Sequence, residues 1–153
     1  MENNVILSKI GSKNTVYIQC ACLAACSILT ITKYTKFEKE TYHFSLLNHG
    51  ASNIDLGDCK ANTEDIDKFI NILSVMKNAK DNYSMTLCIE SGDFIEITKI
   101  GTDKEMGILS IDFYRSERKY AKEKCLGGII IEINNIVKII NMLKRLKVNS
   151  PSI

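Results

Sequence analysis

The chain has 153 residues, 45% of them hydrophobic and 25% charged, which is the length and composition of one ordinary globular domain. Its formal net charge of +2 is well below the strongly basic balance of many nucleic-acid-binding domains, so such a role has to depend on local charge. Residues 1–4 lack the basic and apolar regions of a secretory signal. We therefore expect a cytoplasmic protein whose six cysteines are reduced.

The first half of the chain predicts a set of strands followed by a helix. Apolar and polar residues alternate over several short runs, which is the pattern of half-buried strands. Residues 16–31 are mostly apolar but include Gln19, and they are fewer than the roughly 20 residues of a membrane-spanning helix, so we expect no membrane anchor. Apolar residues at helical spacing predict a helix over residues 64–77. The predicted strands cover residues 5–10, 15–20, 27–34, 41–47 and 52–56.

The second half repeats this order of elements. Residues 91–93, Ser-Gly-Asp, predict a turn after the first strand. A charged connection over residues 115–124 separates the last two strands, and a second amphipathic helix follows over residues 136–147. Residues 149–153 are a tail that contains Pro151. The predicted strands cover residues 85–90, 94–100, 107–114 and 128–133.

The two halves are also similar in sequence. Residues 66–77 align without a gap on residues 136–147, and the triplet Ile-Thr-Lys occurs at residues 31–33 and again at 97–99. Self-similarity of this kind indicates a repeated structural unit. We therefore predict an α+β fold with an internal tandem repeat of ββββα, in which antiparallel sheets are each backed by a helix. The repeats cover residues about 12–78 and 82–148 of a single domain.

The two predicted sheets differ in the face that points away from the helices. In the first copy this face carries Tyr17, Tyr34 and His43 without any acid, because alternate strand residues point to opposite sides. Such rings stack on nucleic-acid bases, and Lys33 beside them supplies a cation for phosphate. The outward positions of the second copy include three carboxylates instead. Threonine and tyrosine are also good strand residues, so an ordinary half-exposed sheet explains each position taken alone.

One turn of the first copy is unusually apolar. Residues 21–26 read Ala-Cys-Leu-Ala-Ala-Cys, where the second copy has its polar Ser-Gly-Asp turn. An apolar turn of this kind is covered in most proteins. We expect it to be buried either by the other copy or by a second subunit of a homodimer.

The sequence predicts no enzyme, no cofactor and no metal site. Cys20, Cys22 and Cys26 are spaced C-x-C-x3-C, which is not the paired spacing of a structural zinc site. No motif makes His43 the partner of a cysteine nucleophile. The chain also lacks a phosphate-binding glycine loop and a nucleophile elbow.

A tandem ββββα unit resembles the Pur-alpha family, in which two such repeats intertwine to form one domain. It is also similar to the whirly and transcriptional positive-cofactor families, whose curved sheet is backed by a helix. The local likeness lies in residues 109–114, the basic connection, residues 128–131 and the final helix. The resemblance implies that the strand end and loop contact nucleic acid, here Tyr114, Arg115, Arg118 and Lys119.

Two hypotheses follow from these observations. The first is a small non-catalytic module that binds single-stranded DNA or RNA, and the alternative is a protein-interaction module such as an immunity protein or inhibitor. The alternative would use the apolar turn or the carboxylates of the second copy. In the first hypothesis the rings that stack are Tyr17, Tyr34, His43 and Tyr114, and the cations on phosphate are Lys33, Arg115, Arg118 and Lys119.

Overall fold

Two antiparallel sheets and two helices form the part of the chain that the computed structural model describes, residues 5–10, 13–21, 27–48, 59–101, 107–117 and 122–148. The elements in chain order are β1 (Val5–Ile10), β2 (Lys13–Gln19), β3 (Ser27–Lys36), β4 (Lys39–Asn48), β5 (Cys59–Ala61), α1 (Thr63–Met76), β6 (Ser84–Cys88), β7 (Phe94–Ile100), β8 (Ile108–Glu117), β9 (Lys122–Glu132), a 3₁₀ turn (Ile133–Asn135) and α2 (Ile136–Val148). The sheets have the orders β1-β2-β3-β4-β5 and β6-β7-β8-β9. The fold is therefore α+β, with a ββββα unit that occurs twice and an extra edge strand, β1, before the first unit.

Two parts of the prediction need revision. The strand that pairs with β4 is Cys59–Ala61, whereas the predicted strand over residues 52–56 lies outside the described residues. The charged connection over residues 115–124 is largely paired strand, since Arg115 is the Cα partner of Lys124 and Glu117 that of Lys122. The tip of this hairpin, residues 118–121, is not described.

The inner faces of both sheets share one apolar core. Phe44 of β4 has its ring centre 5.9 Å from Phe69 of α1 and 5.7 Å from Phe113 of β8, so one side chain contacts both copies. The helices pack across the repeat as well: α2 lies against β1 and β2, and α1 lies against β6 and β7 as well as β4 and β5. The alternate residues of β2, β3 and β4 that point away from the outer face are buried: Val16, Ile18, Leu29, Ile31, Phe44 and Leu46.

Two backbone hydrogen bonds join the copies in the same way from each side. The Ala21 N–H donates to the Ile130 carbonyl oxygen at 2.9 Å, and the Ser91 N–H donates to the Lys60 carbonyl oxygen at 3.0 Å. The helix alignment that matches residue 66 with 136 also matches Ala21 with Ser91 and Lys60 with Ile130. In each case the turn after the first strand of one copy is bonded to the last strand of the other. Ala21 is also buried, as expected for the start of the apolar turn, while residues 22–26 are not described.

The repeated Ile-Thr-Lys triplet places a buried lysine at the end of the other copy's helix. Lys33 Nζ donates to the Lys147 carbonyl oxygen at 2.6 Å, and Lys99 Nζ donates to the Lys77 carbonyl oxygen at 3.1 Å. Residues 77 and 147 are again equivalent positions. A helix leaves its last carbonyl groups without partners and is negative at this end, so a lysine there satisfies an acceptor and stabilises the dipole. We call the two turn contacts and these two lysine contacts the seam.

Within the described ranges, no helix is both long enough and apolar enough to cross a membrane.

Candidate functional site

The outer face of the five-stranded sheet carries rows of polar and aromatic side chains. Strand register places Thr32 of β3 beside His43 of β4, and His43 beside Lys60 of β5. The next row pairs Tyr34 with Thr41. Because side chains alternate across a strand, these residues point away from the core while their neighbours point into it.

One end of this face is a cleft with a volume of about 830 Å³. The β3–β4 hairpin and β5 form its floor, and the β6–β7 turn of the second copy forms its far wall. We call it the aromatic–basic cleft. Its lining residues are Tyr34, Lys36, Phe37, Lys39, Thr41, His43, Lys60, Glu90 and Ser91.

The cleft holds more positive than negative charge. Among the described residues, Lys36, Lys39 and Lys60 line it together with one carboxylate, that of Glu90. Within the described part of the chain, no carboxylate lies within 4 Å of any of these three ammonium groups. Cations without a protein partner at one concave surface raise the local concentration of anions there.

Aromatic rings occupy the floor and the rim of the cleft. The Tyr34 and His43 rings have centres 4.5 Å apart and planes inclined by 56°. Phe37 is 92% exposed at the hairpin tip, and the Lys36 ammonium group lies 5.5 Å from its ring centre. Burying such a ring is normally favourable, so an almost fully exposed phenylalanine at the rim is available to a ligand.

The hairpin that carries Phe37 has an unfavourable turn for its sequence. Lys36 pairs with Lys39, which leaves a two-residue turn in which Phe37 has φ 51° and Glu38 has φ 64°. This mirror-image turn suits Asn-Gly or Gly-Gly, because bulky residues are strained at positive φ. Backbone strain of this kind is found preferentially at binding sites.

The far wall is fixed by hydrogen bonds to the first copy. The Glu90 N–H donates to Asp65 Oδ2 at 2.9 Å, and Asp65 also forms the capping box of α1 with Asn62. The Ser91 hydroxyl donates to Asp93 Oδ2 at 2.8 Å, and Arg115 Nε donates to Asp93 Oδ1 at 3.3 Å. Together with the seam bond from the Ser91 N–H, these contacts hold the wall in place without any ligand.

No protein-family model matches this sequence, and no curated protein is detectably similar to it.

The structure separates the residues that the sequence grouped into one site. Tyr34 and His43 line the cleft, and Tyr17 lies on the same outer face but outside it. Tyr114 lies on the other sheet, where its ring is stacked on Phe94 with centres 5.2 Å apart and planes 10° apart. Its position therefore does not extend the cleft.

The predicted cations are largely engaged elsewhere. Lys33 is only 2% exposed and bonds to the end of α2 and to Glu40, so its burial does not fit the phosphate contact that we predicted. Arg115 points toward Asp93 and the Cys59 thiol of the first copy and supports the wall of the cleft. Arg118 and Lys119 lie outside the described residues.

Phe37, Lys60 and the two wall residues were not predicted. Lys36 and Lys39 had already been placed at a turn by the alternation of the strands, and an aromatic residue between them was a signal that a turn rarely carries. Lys60 could be assigned to the cleft only once the register of β5 on β4 was known. Glu90 and Ser91 reach the cleft through the packing of one copy on the other, and a local sequence pattern contains no information about that packing.

The Cys59 thiol lies next to Lys60 of the cleft and is held in its protonated form. Burial, reinforced by the neighbouring Asp93 carboxylate, raises the pKa of the Cys59 thiol to about 12, so the sulfur holds its proton near neutral pH and is a poor nucleophile. Across the described ranges, no three His, Cys, Asp or Glu side chains are grouped as metal ligands. The arrangement in the cleft is suited to binding an anionic, aromatic ligand.

Proposed function

We propose that this protein is a non-catalytic binding module for single-stranded DNA or RNA, and that the aromatic–basic cleft is its binding site. The observation that carries the proposal is one cleft that combines half-buried and exposed aromatic rings with three lysines, none of which forms an ion pair within the described part of the chain. Single-stranded nucleic acid presents this pair of features, unpaired base faces beside a row of phosphates. A resemblance to the Pur-alpha and whirly families belongs to the same proposal and is supported by the two ββββα units.

The lysines set the expected dependence on salt. Each phosphate neutralised on a single strand releases counterions, and the slope of log affinity against log salt is about −0.7 per contact. Three contacts give a slope of about −2, so affinity should fall by roughly fifteenfold between about 50 and 200 mM salt. Such a module binds weakly under physiological conditions unless several copies act on one strand.

The rings supply the part of the affinity that does not depend on sequence. Tyr34 and His43 are tilted together on the floor, and Phe37 stands at the rim. Stacking of a base on one such ring contributes about 1–3 kcal/mol. A paired duplex hides its base faces, so we expect single strands to bind more tightly than duplexes of the same length.

The test is a titration of a labelled mixed-sequence oligonucleotide followed by fluorescence anisotropy. The triple variant Lys36→Gln, Lys39→Gln, Lys60→Gln should lose at least tenfold in affinity at low salt and most of the salt slope. The matched control replaces Lys80, Lys138 and Lys144, which are exposed outside the cleft, and should bind nearly as the natural protein does. No binding at low salt, or equal losses in both triple variants, would contradict the proposal.

A second candidate, a protein-interaction module, is favoured by one observation on the other sheet. Glu96 of β7 and Asp112 of β8 are Cα partners on the outer face, and like charges directly opposite each other destabilise a strand pair. A basic surface of a protein partner would relieve this repulsion. Stoichiometric co-purification of a protein partner that is lost in Glu96→Gln would favour this candidate over nucleic-acid binding.

A further inference from the structure

The carboxylate of Glu90 in the aromatic–basic cleft needs an explanation of its own. Glu90 lines a cleft with three lysines, yet it makes no ion pair with them in the described part of the chain. A carboxylate at this place repels phosphate, so it weakens the backbone contacts that the lysines provide. Its presence is therefore unfavourable for binding unless it contacts another part of the ligand.

The backbone of Glu90 is also held at this position by hydrogen bonds. Its backbone N–H donates to the buried Asp65 carboxylate, and the next residue, Ser91, is bonded through its own N–H to Lys60 on the floor of the cleft. These contacts fix the start of the Glu90 side chain on the wall of the second copy, beside the floor that carries Tyr34 and His43. A base stacked on the floor would turn its edge toward a wall of the cleft.

The chemistry of a carboxylate restricts which base edge it can contact. An ionised carboxylate only accepts hydrogen bonds, and cytosine and adenine each offer an exocyclic amino group, as guanine does through N2. Thymine presents the O4 acceptor where cytosine presents its N4 amino donor, and two acceptors repel each other. Lysine contacts to phosphate carry no such information.

We propose that Glu90 reads the amino group of a base bound in the cleft, so that the protein prefers amino-bearing bases to thymine or uracil. This inference rests on the proposed function, since it needs a single strand in the cleft. The clearest comparison is between oligo(dC) and oligo(dT) of equal length, because both bases are pyrimidines and position 4 carries an amino donor in cytosine and a carbonyl acceptor in thymine.

The experiment measures the affinities of oligo(dC) and oligo(dT) for the full chain at low salt and slightly alkaline pH, where cytosine is neutral. The natural protein should bind oligo(dC) about tenfold more tightly, which corresponds to about 1.4 kcal/mol. Glu90→Gln should reduce this ratio to near one, mainly through tighter binding of oligo(dT), because the amide can donate to O4 as well as accept. Glu96→Gln, the same change of charge on the other sheet, should leave the ratio unchanged.

Every other outcome would contradict the inference. Equal affinity of the natural protein for the two oligonucleotides overturns it and leaves the proposed function intact. If Glu90→Gln raises both affinities by the same factor, the carboxylate acts only through repulsion of phosphate, and base reading is wrong. If neither oligonucleotide binds, the proposed function fails first and the inference fails with it.

Discussion

The seam and the outer faces of this molecule differ in how closely they follow the internal repeat. At the seam, equivalent residues make equivalent contacts: Ala21 and Ser91 each bond to the last strand of the other copy. Lys33 and Lys99 each bond to the end of the other copy's helix. The outer faces have diverged instead: the first copy combines its aromatic rings with lysines, and the second combines its stacked Phe94 and Tyr114 with carboxylates.

The difference follows from what each region has to satisfy. A buried carbonyl or N–H group without a partner costs about 1–3 kcal/mol, so each copy has to supply a partner for the other wherever their backbones meet. Side chains on an outer face are solvated and carry no such requirement. A doubled unit can therefore keep one mode of packing while its two surfaces acquire different chemistry.

The largest expected effect comes from the side chain that contacts both copies. Phe44→Ala removes the ring that touches Phe69 and Phe113 and should lower the free energy of unfolding by about 3–5 kcal/mol. Phe94→Ala, the same truncation on the outer face of the second copy, should cost only about 1 kcal/mol. Urea unfolding followed by far-ultraviolet circular dichroism and by tyrosine fluorescence should give coincident transitions, and separate transitions would mean that the copies unfold independently.

The next effect tests whether the two sides of the seam are energetically equivalent. Lys33→Met and Lys99→Met each leave a helix-terminal carbonyl without its charged donor, for which we expect a loss of about 1.5–3 kcal/mol. Lys33→Met should cost more, because Glu40 also loses its ion-pair partner at 3.2 Å. Thermal and urea unfolding measure both losses. A variant as stable as the natural protein would mean that desolvation of the ammonium group offsets its contacts.

The position of the Lys33 side chain shows what sequence patterns can and cannot predict here. Alternation along β3 correctly placed Ile31 in the core and Tyr34 outside, because strand periodicity is local information. Lys33 has the same parity as Ile31 and points inward, where the helix of the other copy ends. A prediction from sequence assigns a lysine to the exposed surface, unless it is already known that each helix ends beside the sheet of the other copy.

The candidate site also contains some residues that local patterns predict and others that only tertiary packing brings there. Tyr34, His43, Lys36 and Lys39 belong to one hairpin, and its alternating pattern predicts that they are close together. The wall formed by Glu90 and the cation at Lys60 come from elements joined only by tertiary contacts, the bonds to Asp65 and across the seam. Short elements are also poorly predicted, as β5 shows, because three residues are too few to display a period.

The third effect compares the two outer faces directly. Tyr34→Ala should weaken oligonucleotide binding by roughly tenfold, because stacking contributes about 1–3 kcal/mol per base, while Tyr114→Ala on the second sheet should change it by less than about twofold. Both tyrosines lie on outer faces, so the pair is matched in residue type and in setting. Anisotropy titrations with one mixed-sequence oligonucleotide measure both. Equal losses would mean that binding extends over both sheets.

The smallest effect concerns the hairpin tip, where stability and binding should change in opposite directions. Phe37→Asn with Glu38→Gly places the residues preferred by this turn at the two positive-φ positions and should raise the free energy of unfolding by about 0.5–1 kcal/mol. The same change removes the exposed ring and should lower oligonucleotide affinity by about threefold to tenfold. Glu38→Gly alone is the control, since it relieves strain at one position and keeps the ring.

If the double variant gains stability and binds as before, the turn is merely tolerated by the fold and Phe37 takes no part in binding. If both quantities change as expected, the strain at the tip is the cost of presenting an aromatic ring to a ligand.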